Sequence, residues 1–123
     1  MPQPNHYTTV NGSHIAHVYE PSWGLLHSIN DQPSIIRANG LLEWYWYGNR
    51  HRVGGPAIIF PDKTQKWFKD GYLHREDGPA WYRSCGDCFW FLHGTEYTLE
   101  EFVKKTPYLK TDGERLMFYL KWK

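Results

Sequence analysis

Large apolar side chains recur along this chain at a fixed interval. Trp44, Trp67 and Trp90 are 23 residues apart, and each is followed by a second ring, Tyr45, Phe68 and Phe91. The glycines Gly48, Gly71 and Gly94 and the prolines Pro33, Pro56 and Pro79 keep the same interval. The longest match sets Trp67–Ala80 against Trp44–Ala57, and Trp90–Gly94 begins it once more. A period between about 20 and 50 residues is the mark of a stacked repeat.

Between the apolar positions lie two series of turn signals. Asn39-Gly40, Asp62-Lys63 and Cys85-Gly86 form one; Tyr47-Gly48, Asp70-Gly71 and His93-Gly94 form the other. Asn-Gly and Asp-Gly pairs favour hairpin turns, because both central residues tolerate positive φ. Each period therefore holds two turns and two strands. The pattern predicts a mainly β chain: an antiparallel meander of 23-residue β-hairpin repeats forming one twisted sheet. Successive side chains of a strand point to opposite faces. Trp44, Trp67 and Trp90 are thus expected to stack as a ladder on one face, with Tyr45, Phe68 and Phe91 on the other. Only one of these rows can be the core of a single-layer sheet unless something covers the second.

The ends are less regular. Residues 1–24 read as an irregular N-terminal cap, with a short strand over Tyr7–Val10 and a turn at Asn11-Gly12. Glu20-Pro21-Ser22 breaks any ladder there, and Trp23-Gly24 resembles a worn copy of the repeat opening. The repeat sheet is expected over 25–97. At Thr98 the pattern changes to a short helix, Thr98–Lys105. Thr98 and Glu101 form a capping box, two lysines stand in the last turn, and Thr106-Pro107 stops the helix. From Glu114 to Lys123 the apolar residues alternate, with Leu116, Phe118, Leu120 and Trp122 on one side. This reads as a final strand, a helix being the alternative. Helix and strand together would cap a single domain spanning 1–123.

Composition narrows the function classes. With 18% aromatic residues the chain has ample apolar side chain for a core, and a formal net charge of +1 gives no bulk electrostatic case for nucleic acid or a membrane surface. No apolar run approaches the roughly 18 residues of a membrane span. Met1-Pro2-Gln3-Pro4-Asn5-His6 lacks the basic and apolar regions of a secretion signal. The expectation is a cytoplasmic protein with reduced thiols.

Three constellations carry possible chemistry. His51-Arg52 and His74-Arg75, with Glu76 and Asp77 beside them, could clamp an anion or supply acid–base groups. Recurrence in successive copies favours a structural role at the strand ends, since a catalytic site is needed once. Cys85-Gly86-Asp87-Cys88 has the C-x-x-C spacing of zinc and redox motifs, but a zinc site needs four ligands and a redox pair needs a helix N-terminus. Two free thiols in a turn is the simpler expectation, so neither metal nor cofactor is assigned. The aromatic rows are the strongest binding candidates, because exposed contiguous rings mark interaction sites. Base stacking on them stays open, although Lys63, Lys66, Lys69 and Arg83 make only a thin basic track. No Ser-His-Asp spacing, phosphate loop or H-E-x-x-H occurs, and no catalytic residue is assigned.

The 23-residue period, the aromatic-rich strand, the glycine turn and then a short strand beginning with His together resemble the MORN repeat. Gly71–Ala80 is similar to the MORN-variant repeats of large bacteriophages and other large DNA viruses, and Gly94–Phe102 is similar to the way such chains leave the array for a helix. The resemblance covers roughly 25–103. The first copy departs from it, with His27 one place early and no Arg or Gly-Pro-Ala; the last has Tyr97-Thr98 in place of His-Arg. The resemblance implies a β-hairpin sheet used for protein contacts, without catalysis. It also implies a phage protein acting in the host cytoplasm against a host protein, such as a defence or nucleic-acid-processing factor. The expected binding residues are Tyr45, Phe68 and Phe91, Trp44, Trp67 and Trp90, with His51, Arg52, His74 and Arg75. The alternative is capture of a small anionic or nucleotide ligand by the His/Arg positions, and a hydrolase built on His74, Glu76 and Asp77 is a third reading. Unpaired strand edges add a homodimer to the expectations.

Overall fold

Four tight turns set the strand register. Their central residues are Asn11-Gly12, Tyr47-Gly48, Asp70-Gly71 and His93-Gly94, with φ of 50 and 79, 47 and 81, 51 and 87, and 49 and 80°. Two successive residues at positive φ give the turn whose twist matches that of the flanking strands. The computed structural model describes residues 6–17, 26–28 and 30–123. Met1–Asn5, the break at Glu20-Pro21-Ser22 and the worn copy at Trp23-Gly24 lie outside the described residues.

The elements in chain order are β1 (His6–Val10), β2 (Ser13–His17), β3 (Ile35–Ile36), β4 (Leu42–Glu43), β5 (Tyr45–Trp46), β6 (Asn49–Arg50), β7 (Ile58–Ile59), β8 (Gln65–Lys66), β9 (Phe68–Lys69), β10 (Tyr72–Leu73), β11 (Trp81–Tyr82), β12 (Cys88–Leu92), β13 (Thr95–Tyr97), α1 (Leu99–Lys105) and α2 (Asp112–Trp122). The fold is mainly β. Nine strands follow one another in the order β1-β2-β3-β4-β7-β8-β11-β12-β13, while β5–β6 and β9–β10 are separate hairpins. Neighbouring strands are antiparallel throughout, and β13 pairs with the far half of β12, Trp90–Leu92.

The two separate hairpins arise where a long strand breaks. β4 and β5 are divided at Trp44 and β8 and β9 at Trp67, whereas β12 runs through Trp90. The backbone at the breaks stays paired. Trp44 N–H donates to Ala57 O at 2.7 Å and Trp67 N–H to Ala80 O at 2.6 Å, and the two Trp carbonyls accept from His51 and His74 N–H. Beyond the breaks the hairpins bond to one another. Gly71 N–H reaches Arg50 O at 2.9 Å, and Gly94 N–H reaches Leu73 O at 2.8 Å. A second ladder thus runs beside the main sheet.

Residues paired directly across strands share a face. One row therefore comprises Ile35, Glu43, Ile58, Lys66, Trp81 and Phe89. Ile35, Glu43 and Ile58 in it are buried. The buried Glu43 carboxylate is satisfied by Arg37 Nε at 2.9 Å, the Tyr45 hydroxyl at 3.0 Å and Arg50 at 3.4 Å. Farther along, Lys66 Nζ lies 4.6 Å from the Trp81 ring centroid, and Trp81 packs on Phe89 at 4.7 Å. At the far end Trp90 and Leu92 join Phe102 and Val103 of α1 with Leu109 and Phe118 in the main apolar cluster.

Two expectations at the ends need correction. The segment 1–24 is not irregular throughout, because β1 and β2 over 6–17 form a hairpin that extends the sheet to β3. The final strand is in fact the helix α2. Thr111 caps it by accepting from Glu114 N–H, and the alternating apolar residues do not share a face: Phe118 is buried while Leu116 and Leu120 are exposed. Phe118 and Trp122, one turn apart, meet the core instead. Leu, Met, Glu, Arg and Lys are all good helix formers, and here that preference coincides with the packing. The α1 capping box is present as expected, with Thr98 Oγ1 accepting from Glu101 N–H and Glu101 accepting from Thr98 N–H.

The turns joining β3 to β4, β7 to β8 and β11 to β12 place one residue each at strongly positive φ: Gly40 at 93°, Lys63 at 77° and Gly86 at 99°. Only the middle turn has a side chain there. The substitution Lys63→Gly should therefore stabilise the fold by roughly 1 kcal/mol, relief of left-handed strain outweighing the greater freedom of the unfolded chain. Urea denaturation gives the value, and a loss of stability would contradict it.

Candidate binding grooves

The side chains expected to bind are organised by contacts that recur along the chain. Arg52 lies over the Trp44 ring and Arg75 over the Trp67 ring, each with Cζ 3.9 Å from the centroid. Each guanidinium also donates to a proline carbonyl, Pro56 at 3.2 Å and Pro79 at 3.3 Å. A carboxylate completes each set. Asp31 takes Arg52 through both oxygens, at 2.9 and 3.1 Å, and Asp77 takes Arg75 Nε at 2.8 Å. Arg52 holds the Asp31 carboxyl below its ordinary range, against a smaller opposing effect of burial. Glycine makes room for the stack: a Cβ on Gly78 would lie 2.5 Å from Arg75 Cζ and push the guanidinium aside, and one on Gly55 would lie 3.0 Å from Arg52 Cζ.

The imidazoles form a second recurring contact. His27, His51 and His74 accept through Nδ1 from the backbone N–H of Tyr47, Asp70 and His93, at 3.1, 3.0 and 2.9 Å. Each acceptor serves the first positive-φ residue of the next tight turn. An accepting Nδ1 requires the neutral ring with its proton on Nε2. In His74 that proton points to Glu76 Oε2, 3.2 Å away. Burial pushes the His74 pKa down, with Glu76 opposing it, and burial also lowers that of His27. His27 was legible only as a misplaced histidine; its shared role appears once the turns are folded.

The expected Trp ladder is corrected in one respect: among the described residues no ring pair joins Trp44, Trp67 and Trp90. Each is covered separately, the first two by arginines and Trp90 by Phe102 at 4.9 Å, Trp122 at 5.5 Å and Phe118 at 5.7 Å. Trp44 and Trp90 are buried, and Trp67 is half-buried. The other row, Tyr45, Phe68 and Phe91, is half-buried rather than bare. Arg50 stands between two of its rings, 6.0 Å from Tyr45 and 5.7 Å from Phe68.

Two open grooves result. One, of about 460 Å³, is lined by Ser28, Asn30, Asp31, Trp44, Tyr45, Trp46, His51, Arg52 and Val53. The other, of about 470 Å³, is lined by His51–Gly54, Trp67–Lys69 and His74–Asp77. The two linings match at the 23-residue interval. Beside the first, Trp46, Tyr47 and Val53 are 45, 46 and 84% exposed. These three were not among the expected site residues; Lys69 and Glu76 stand 23 residues after Trp46 and Val53, so no repeated pattern marked them.

The remaining candidates do not gather into a site. Cys85 is exposed in the β11–β12 turn and Cys88 is half-buried, both as free thiols, and burial with Asp87 raises the Cys88 pKa. Among the described residues no three His, Cys, Asp or Glu side chains are grouped to hold a metal, and no helix is long and apolar enough to cross a membrane. Comparison with known protein families, with curated proteins and with solved structures finds no match.

The Arg–Trp stack and the glycine beside it should behave as one unit. Gly78→Ala is expected to cost about 1–2 kcal/mol by displacing Arg75 from Trp67, and much less in an Arg75→Ala background. Equal costs in both backgrounds, measured by denaturation, would show that the glycine serves another purpose.

The imidazole contacts carry a pH dependence. A histidine whose folded pKa lies below its ordinary 6.5 stabilises the fold fully above that value, and the stability is lost as pH falls towards the folded pKa. The melting temperature should therefore drop on acidification below about pH 6.5, before the carboxylates titrate. The drop should be smaller in His74→Asn, whose amide oxygen can accept the same N–H and does not ionise. An unchanged slope in that variant would count against His74 as the source.

Proposed function

We propose that the chain is a MORN-like hairpin-repeat module that binds a partner protein through its aromatic grooves and performs no chemistry itself. The observation carrying this reading is the first groove, concave and flanked by the exposed Trp46, Tyr47 and Val53. Tryptophan and tyrosine at the rim of an apolar hollow are the side chains that anchor protein contacts. The repeat assignment is supported by the recurrence at matching positions of the Arg–Trp stack, the imidazole-to-turn bond and the groove lining. The likeness of Gly71–Ala80 to viral MORN-variant repeats supports a phage origin and a host target in the host cytoplasm, a defence or nucleic-acid-processing protein.

A second reading, capture of a nucleotide or other small anion, draws on the fact that both grooves include His/Arg pairs. It is the weaker, because Asp31 and Asp77 already neutralise Arg52 and Arg75. A hydrolase is not favoured by the geometry: Glu76 meets His74, but Asp77 turns to Arg75.

The double substitution Trp46→Ala/Val53→Asp changes two exposed side chains and should leave the circular dichroism spectrum unchanged. It should weaken capture of the host partner at least about ten-fold, and triple alanine substitution of Tyr45, Phe68 and Phe91 should also reduce it. Undiminished capture by the folded double variant would remove the groove from consideration. Calorimetric binding of a nucleotide to the unmodified protein would favour the anion reading instead.

A further inference from the structure

Helix α2 has a second apolar face that the fold does not use. Phe118 and Trp122 pack into the core, while Leu116, Met117 and Leu120 on the other side are 58, 68 and 51% exposed. Leu116 and Leu120 are one helical turn apart and Met117 lies beside them, so the three make one continuous stripe. Tyr108, 54% exposed, extends it. Along the flank next to Met117 runs a hollow of about 500 Å³ bounded by Tyr108, Glu114, Met117, Phe118 and Lys121.

We propose that this stripe is the interface of a symmetric homodimer, in which α2 of one chain packs antiparallel on α2 of a second copy. The charges on the flank choose the occupant. Glu114 and Lys121 are seven residues, two turns, apart and lie on the same side of the stripe. When two such helices pack antiparallel about a two-fold axis, equal flanks face each other and the two ends exchange places. Glu114 of each copy then meets Lys121 of the other, twice over. Parallel packing about a two-fold axis would put this flank of each copy on opposite sides of the interface, and neither Glu114 nor Lys121 would meet its partner. Within its own chain Glu114 accepts from Thr111 Oγ1 at 3.2 Å and from Lys110 N–H at 3.4 Å, and each oxygen keeps a second lone pair for a further donor. Among the described residues no carboxylate pairs with Lys121, whose Nζ lies 5.4 Å from the Trp122 ring centroid. The hollow beside Met117 offers a seat for the second copy's Met117, a side chain that adapts to irregular gaps. At 11 residues the helix is about 16 Å long. Two such helices fall short of the roughly 1,200 Å² of a standard stable interface, so the dimer should dissociate in the micromolar range.

Sedimentation equilibrium on the full chain tests this. The unmodified protein should reach the dimer mass in the micromolar range, and Leu116→Glu/Leu120→Glu should remain monomeric with an unchanged circular dichroism spectrum. Lys121→Glu and Glu114→Lys should each weaken self-association about ten-fold by placing like charges together. An equimolar mixture of those two variants restores both ion pairs and should recover dimerisation, which a merely structural role for either residue would not do. A monomer up to about 1 mM would overturn the proposal. So would a dimer indifferent to the two leucine substitutions, which would place the contact elsewhere, such as the open edge of β1. Single charge variants that weaken the dimer without recovery on mixing would overturn the antiparallel arrangement.

Discussion

The first central residue of a two-residue hairpin turn directs its N–H away from its own hairpin, and that donor needs a partner. In this protein the partner is an imidazole supplied from one hairpin earlier in the chain. His27, His51 and His74 reach the turn amides of Tyr47, Asp70 and His93 across 20, 19 and 19 residues of sequence. Each bond fixes a loop against the next turn, and so fixes how far apart successive hairpins can sit. The ladder of backbone bonds beside the main sheet follows from that placement. The longer first span absorbs the displacement of His27 by one residue, which leaves the bond intact although the sequence pattern is broken.

The tight turns were legible in the sequence because their requirement is local. A residue pair that tolerates positive φ declares itself without reference to the rest of the chain. Helix α1 was legible for the same reason, its capping box being contained in four residues. Helix α2 was not. Its apolar residues satisfy a two-residue alternation as well as a helical period, and only the presence of Trp90, Phe102 and Leu109 decides that Phe118 and Trp122 face inward. Alternation set Trp44, Trp67 and Trp90 in one row but could not say what covers each of them. That depends on arginines eight residues later, and on glycines whose missing Cβ leaves room for the guanidinium.

The grooves have the same origin. A guanidinium covers less of an indole than a second aromatic ring would, and a hollow lies beside each of the two Arg–Trp stacks. Glu43 shows the other way in which this thin sheet manages its polar groups. Its carboxylate is taken out of solvent and held by two arginines and a tyrosine hydroxyl, an arrangement in which removing one partner leaves the others to share the charge. Arg50 serves both purposes, since it reaches Glu43 and stands between the rings of Tyr45 and Phe68.

The passage from sheet to helix is decided at one position. Arg52 and Arg75 are followed, after a further 23 residues, by Thr98. A threonine cannot reach the indole, so Trp90 is left for another group to cover. The same threonine accepts from Glu101 N–H and starts α1. Phe102, on the first turn of that helix, takes the uncovered Trp90 face, and Thr106 at the helix end donates to Glu76 O at 2.6 Å, binding the helix to the preceding loop. One residue thus withdraws the arginine and launches the helix that replaces it. The loss of the repeated His-Arg pair is not decay of the pattern. It is the condition under which the last strands of the sheet close on a helical core.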